Sequence, residues 1–255
     1  MRARICCRGD QETDSSVFDT YAPVVSWTTV RLLYILTLKL GLTTKEVDYT
    51  NAFVQADIHD EEVYVSMPRG FSLEGKVMKL KKSLYGLRES PKNFFEHLKS
   101  KLIENGFEQS SEDPCLFKSE KVICLVYVDD CLFFSAKEEY IDEKIDGLRN
   151  SGLLLDVEDD VSGFLGVLIT KKEDGSIELL QTGLIGRIIK ALGIEDANSK
   201  ATPAETTALP AEPDGQQTDG DFNYRSLIGM LGYLTGNSRP ELAFAHHQCA
   251  RYSHA

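Results

Sequence analysis

No apolar run in this 255-residue chain approaches the length of a membrane span, and no signal-peptide pattern opens it. Cysteine is scarce, with six residues at positions 6, 7, 115, 124, 131 and 249 and no CxxC spacing, which argues against a structural zinc. Cys115, Cys124 and Cys131 lie in apolar runs and read as small core residues of a reducing compartment. No internal repeat is visible, which argues against a solenoid or propeller. Positive charge is in deficit: 28 Lys and Arg face 40 Asp and Glu, a formal net charge of −12. A nucleic-acid binder is usually basic on at least one face, so the overall balance speaks against that class.

The charge is uneven, however. Residues 76–101 hold eight Lys and Arg (76, 79, 81, 82, 88, 92, 99, 101) against Glu89 and Glu96, while residues 137–160 hold nine Asp and Glu against three Lys and Arg. A positive stripe on an acidic body can hold a phosphate backbone. A solvated charged face is the other reading. The chain is long enough for one substantial core or two subdomains.

The most informative stretch is Ile123-Cys124-Leu125-Val126-Tyr127-Val128-Asp129-Asp130-Cys131-Leu132-Phe133-Phe134. Its apolar runs, 122–128 and 131–134, are short, β-branched and aromatic, and read as two buried strands. Asp129-Asp130 between them would be a two-residue hairpin turn. Two carboxylates at a buried tip call for a divalent cation, since hard cations take oxygen ligands. A solvated Asp-Asp turn on an edge hairpin is the bland alternative. Upstream, Val47 and Tyr49 bracket Asp48 in another strand-like piece. If that piece lies beside the hairpin, Asp48 and Asp129 face each other across the sheet, and the carboxylates repel without a cation. Two metal ions held this way suit an in-line phosphoryl transfer, the arrangement of a nucleotide polymerase.

Further motifs run along the chain in a fixed order. They are Tyr21-Ala22-Pro23-Val24-Val25, Val47-Asp48-Tyr49-Thr50-Asn51-Ala52-Phe53, Glu61-Glu62-Val63-Tyr64-Val65, Met67-Pro68-Arg69-Gly70-Phe71, and Leu80-Lys81-Lys82-Ser83-Leu84-Tyr85-Gly86-Leu87. Ser90-Pro91, Asp113-Pro114-Cys115-Leu116-Phe117, Tyr127-Val128-Asp129-Asp130, Phe164-Leu165-Gly166 and Arg239-Pro240-Glu241-Leu242-Ala243 follow. Together they cover nearly the whole chain, and in this order the chain resembles the reverse transcriptase of copia-type long-terminal-repeat retrotransposons.

The resemblance implies an α+β right-hand polymerase: fingers, a palm with a split βαβ, ferredoxin-like antiparallel sheet, and a thumb. Its implied divisions are partial fingers at 1–41, palm at 42–59, fingers at 60–90, and palm again at 91–172. Thumb at 173–197, a linker at 198–222 and a C-terminal helical connection at 223–255 complete the chain. It implies two Mg²⁺ or Mn²⁺ ions on Asp48 and Asp129, with Asp130 supporting and the Tyr49 carbonyl as a further ligand. Phe53 would be the steric gate that excludes a 2′-hydroxyl, a plain core phenylalanine being the other reading. Tyr85 and Gly86 would meet the incoming nucleotide, with Tyr85 where retroviral enzymes carry Gln. Lys81, Lys82, Arg88, Ser90, Pro91 and Tyr127 would meet template or primer, and Phe164-Leu165-Gly166 would form the primer grip.

Arg2 and Arg4, at alternate positions on an expected strand, would reach the triphosphate together. Partners would be an RNA template, a DNA primer, deoxynucleotides and other domains of a Pol polyprotein, with no membrane. The setting would be intracellular, in a cytoplasmic virus-like particle or the nucleus. No ribonuclease H, integrase or protease residues are identifiable. The Asp159-Asp160 pair and the His246-His247 pair with Cys249 read as a solvated turn and an ordinary helix face. A catalytically inactive relic, or a domesticated fold that binds nucleic acid or protein, is the competing reading; it is motivated by the acidic balance and by a clipped look at both ends.

Local signals predict the elements. Ser26 caps a helix over 27–40 that Gly41 ends, and Pro91 opens a helix that Asn105-Gly106 stops. Residues 1–9 read as a strand, 60–82 as a hairpin, and 137–150 as a charged helix. Strands are expected near 153–157, 163–170 and 176–180, and helices over 182–192, 224–234 and 240–252.

Overall fold

A computed structural model describes residues 5–11, 20–58, 62–68, 70–71, 73–158, 163–209 and 223–253. In chain order the regular elements begin with α1 (Trp27–Leu40), β1 (Thr43–Tyr49), β2 (Tyr64–Val65), β3 (Met78–Lys79), α2 (Ser90–Glu104), β4 (Glu108–Gln109) and β5 (Leu116–Lys118). They continue with β6 (Val122–Tyr127), β7 (Asp130–Ser135), α3 (Glu138–Asn150), β8 (Leu155–Glu158), β9 (Gly163–Phe164), β10 (Val167–Lys171) and β11 (Ile177–Leu180). Three helices close the chain: α4 (Thr182–Leu192), α5 (Tyr224–Asn237) and α6 (Ala243–Ala250). Helices and antiparallel sheets are mixed, an α+β class. Among the described residues no helix is long and apolar enough to cross a membrane.

The chain divides into two compact units, Met1–Val161 and Ser162–Ala255. The first is built on a six-stranded sheet in the order β4-β5-β6-β7-β1-β8, with every neighbouring pair antiparallel. Because β7 lies between β1 and β6, those two run in the same direction with α2 in the connection: a split βαβ arrangement. Paired residues share a face. Val47, Tyr49, Cys131 and Phe133 point to the side that α2 covers, where the Tyr49 and Phe94 rings meet at 5.6 Å and those of Phe107 and Phe133 at 6.3 Å. Helix α3 lies on that side too, because Lys45, 6 % exposed, reaches Glu138 at 2.8 Å and Asp142 at 2.7 Å. A lysine so deep is tolerated because both carboxylates offset its charge. On the opposite face α1 packs Tyr34 edge-on to Phe134 at 6.1 Å.

Local chemistry sets the helix ends. The Ser26 hydroxyl accepts from Thr28 N–H, and Gly41 closes α1 in the left-handed region at φ 62°. Asp113 joins two elements. Its buried carboxylate accepts from Ser26 N–H (3.2 Å), Thr29 Oγ1 (2.5 Å) and Cys115 N–H (2.9 Å), so it ties the start of α1 to the turn before β5.

In the second unit β9, β10 and β11 form a three-stranded sheet. Leu184, Ile188, Leu227 and Leu234 form the apolar cluster that joins α4 and α5.

Several expectations differ from this outcome. Among the described residues of 1–9, positions 5–8 have no regular structure and a 3-10 turn begins at Gly9. Two backbone bonds, from Cys7 N–H to Tyr85 O (2.7 Å) and from Gly9 N–H to Gly86 O (3.0 Å), hold this piece instead of a strand ladder. Residues 163–170 are two strands, broken where Leu165 (φ 56°) and Gly166 (φ 70°) turn the chain. β10 pairs with β9 on one side and β11 on the other, and all three lie in the second unit. Among the described residues of the 60–82 hairpin, the two arms pair with each other only at β2 and β3. Helix 240–252 opens with a 3-10 turn, Pro240–Leu242, and then continues as α6. Strands β4 and β5 were not foreseen, since two or three residues carry no readable period. Asp159 and Asp160 lie outside the described residues.

Replacing Asp113 with Ala removes the acceptor of three donors, of which Cys115 N–H is fully buried. It is expected to cost about 2–4 kcal/mol, because truncating one partner exposes the desolvation penalty of the others. Urea unfolding of Asp113→Ala checks it, and a midpoint equal to that of the parent chain refutes the clamp.

Candidate active site at the carboxylate hairpin

The hairpin β6–β7 turns at Val128-Asp129, not at Asp129-Asp130. Asp130 is the first residue of β7, paired with Tyr127 on one side and with Asp48 on the other. The one-residue difference matters because successive residues of a strand face opposite ways. It sets Asp130 on the same face as Asp48. Val128 is the strained member of the turn, at φ 53°, a conformation that β-branched residues rarely adopt. Tyr49 N–H donates to the Asp129 carbonyl at 3.1 Å, which pins the turn to the end of β1.

Strand β8 completes the face. Asp156 pairs with Asp48, and Glu158 pairs with Glu46. Three adjacent strands therefore carry five carboxylates on one face (Asp130, Asp48, Glu46, Asp156, Glu158), with Asp129 at the neighbouring turn. Thr50 Oγ1 donates to Asp156 at 3.0 Å. The Gln55 amide bonds both backbone groups of Leu154, at 2.8 and 2.9 Å, and so holds β8's entry against the segment after β1.

The electrostatics follow from this crowding. Partial burial first, then Asp129, Asp48 and Glu158, push the Asp130 carboxyl up to about 6. Burial, then Asp130, Glu158 and Asp48, push Glu46 up to about 7. Asp48 reaches solvent, yet it too is raised, by desolvation and then by Asp129, Asp156 and Glu158. The charges acting on all three are carboxylates. The donor set is all hard oxygen, the chemistry that magnesium or manganese takes. Among the described residues, no three Asp, Glu, His or Cys side chains converge as they stand into a cage for one ion.

The other sequence candidates fall in three places. Phe53, half-buried on the 3-10 turn Ala52–Gln55, lies 4.6 Å from the Tyr85 ring and 6.2 Å from that of Phe94. Gly86 is at φ 91°. Lys81 is exposed. Lys82 pairs with Asp57 at 2.8 Å, and Arg88 Nε donates to the Gly9 carbonyl at 2.7 Å. Ser90 is fully buried and donates to the Leu84 carbonyl at 2.7 Å; with Pro91 it opens α2. Tyr127 shares the carboxylate face beside Asp130. Leu165 and Gly166 form a two-residue hairpin turn after Phe164 in the second unit, where Tyr233 donates to the Leu165 carbonyl at 2.6 Å. Arg2 and Arg4 lie outside the described residues.

Glu46, Asp156 and Glu158 escaped the sequence reading. A faint signal existed: Glu46 stands two residues before Asp48, and Leu155-Asp156-Val157-Glu158 alternates with the period of a strand.

Folding raises the proton affinity of Asp130 and Glu46. Their contribution to stability is therefore complete below the ordinary carboxylate range and is lost as pH climbs through about 6 and about 7. Without divalent ions, the melting temperature should fall across that window. Glu46→Gln should flatten the upper part of the fall and raise the melting temperature at pH 8 by about 2–4 °C, the shift that ~1 kcal/mol gives a chain of this size. A variant with the parental pH profile contradicts the crowding.

Residues 1–206 match the family model described as reverse transcriptase (RNA-dependent DNA polymerase). Over 261 residues, 99 % of this chain, it is 28 % identical to a retrovirus-related Pol polyprotein from transposon RE2 of Arabidopsis thaliana. It is 36 % identical over 140 residues, 52 % of its length, to the transposon Ty1-H Gag-Pol polyprotein of Saccharomyces cerevisiae. The chain spans 18 % and 8 % of those two proteins respectively. A solved structure of a foamy viral protease-reverse transcriptase in complex with double-stranded DNA aligns with 75 % of this chain and 27 % of its own, at 18 % identity and a TM-score of 0.43.

Proposed function

The chain belongs to the reverse transcriptase (RNA-dependent DNA polymerase) family, and we propose that it extends a DNA primer on an RNA template with deoxynucleotides, as the polymerase domain of a copia-type Pol polyprotein. The observation that carries this reading is the register of β1 on β7, which sets Asp48 beside Asp130 with Asp129 at the adjoining turn. Asp48 and Asp129 would hold two Mg²⁺ or Mn²⁺ ions, helped by Asp130 and the Tyr49 carbonyl. When bound, such ions favour ionisation of the primer 3′-hydroxyl and offset the charge of the departing pyrophosphate.

The six-stranded sheet is the palm of this reading, residues 60–90 belong to the fingers, and α4 with its neighbours makes the thumb. Phe53 lies beneath the sugar and rejects a 2′-hydroxyl. Lys81, Lys82 and Arg88 follow the nucleic-acid backbone, a salt-sensitive attraction. Ser90 and Pro91 act by fixing where α2 starts. The Phe164-Leu165-Gly166 turn holds the primer end, and Arg2 and Arg4 meet the triphosphate. Such a domain works inside the cell, beside the other Pol domains.

Primer extension on an RNA template with magnesium tests this directly. Asp129→Asn should lose about a hundred- to a thousandfold in rate, the scale of losing a charge-stabilising group, while keeping the parental circular dichroism. Full activity in that folded variant sinks the assignment. A non-catalytic binding fold, favoured by the net charge of −12, predicts instead no rise in melting temperature on adding magnesium.

The turn strain makes a separate prediction. Val128→Gly relieves a positive φ and should stabilise the fold by about 1 kcal/mol. It also loosens Asp129, so extension should slow while the melting temperature rises. A variant that is both slower and less stable shows that Val128 is not strained.

A further inference from the structure

We infer that Tyr85 is a positioning residue for sugar selection: its ring holds the Phe53 ring in place, and it acts through that ring without touching the sugar. The inference rests on the reading of Phe53 as the steric gate.

Phe53 stands on a single 3-10 turn, whose half-buried side chain would swing unless walled on both sides. One wall is interior. Phe94, fully buried, meets Phe53 edge-on at 6.2 Å and is itself backed by Tyr49 at 5.6 Å. The other wall is Tyr85, closer at 4.6 Å and tilted by 53°. Rings at this separation attract beyond the area they bury. Removal of the Tyr85 ring frees one side of Phe53, and a gate that can swing rejects a 2′-hydroxyl less well.

The wall is itself braced. Cys7 N–H donates to the Tyr85 carbonyl at 2.7 Å, and Gly9 N–H donates to that of Gly86 at 3.0 Å. The two backbones cross so closely that a Cβ at Gly86 would lie 2.1 Å from the Cys7 oxygen, and one at Gly9 would lie 2.3 Å from the Gly86 oxygen. Only glycine fits at either side of that crossing. On the other flank, Ser83 N–H donates to the Ala56 carbonyl at 3.0 Å, joining the segment of Tyr85 to the end of the Phe53 turn. Tyr85 is thus fixed at the backbone from both sides, as a wall must be.

The experiment compares kcat/KM for deoxy- and ribonucleotides in the full chain and four variants: Tyr85→Leu, Tyr85→Phe, Phe53→Ala and the double variant Tyr85→Leu/Phe53→Ala. Tyr85→Leu should shift selectivity toward ribonucleotides by roughly ten- to a hundredfold, the range over which pocket shape discriminates. Tyr85→Phe keeps the ring and should keep the selectivity, which a direct contact by the hydroxyl would not allow. In the Phe53→Ala background, Tyr85→Leu should add nothing. The melting-temperature losses of the two single variants should be less than additive in the double, a readout that needs no activity. An unchanged ratio in Tyr85→Leu, equal loss in Tyr85→Phe, or strictly additive effects overturns the inference while the gate stands. An unchanged ratio in Phe53→Ala overturns the gate itself, and the inference with it.

Discussion

The site depends on the register between β1 and β7. Asp48 opposes Asp130 only because Thr43 opposes Ser135 and every pair between them is in step. A slip of one residue would turn Asp48 into the core and bring Val47 or Tyr49 out to the face. The apolar partners resist that slip. Val47, Tyr49, Cys131 and Phe133 are all essentially unexposed, and each would have to leave its place under α2 and α3. Burial of a side chain of this kind contributes about 1.5–3 kcal/mol. The hydrophobic face thus sets the geometry of the charged one.

The two faces also separate charge. On the covered face, Lys45 is neutralised by Glu138 and Asp142 of α3. On the opposite face, five carboxylates and Asp129 stand together, and the crowding raises the proton affinity of Asp130, Glu46 and Asp48. The crowding is a cost in the absence of a cation and a preference for one in its presence, since a cation meets charge that already repels. The strained Val128 turn belongs to the same economy: residues held in sparsely populated conformations collect where surrounding structure over-determines them. Here the Tyr49–Asp129 backbone bond and the β6–β7 ladder do so.

Around this platform, backbone contacts between distant segments do much of the positioning. The Gly9–Gly86 crossing, the Ser83–Ala56 bond and the Gln55 amide on Leu154 each join pieces far apart in sequence. None involves a long apolar element, so none produces a period to read. Buried Ser90 and Asp113 show the same division of labour: polar residues in family motifs whose visible partners lie within the fold.

The features legible in the residues alone are local. Caps and stops placed α1 and α2 to within about a residue, because Ser26, Gly41, Pro91 and Asn105 act on the adjoining turn of backbone. The apolar runs around Asp129 marked the hairpin, and the ordered motifs marked the family. Which distant residues share a face was settled by long-range pairing and packing. The turn moved by one residue, to Val128-Asp129, because pairing with β1 chose among local alternatives of similar merit. Glu46, Asp156 and Glu158 joined the site through β1–β8 pairing across more than a hundred residues. Tyr85 came to lie on Phe53 by a crossing of backbones. A capping signal travels one helical turn, whereas strand register and ring contacts are set by the packing of the whole unit, and that is where the chemistry of this chain was assembled.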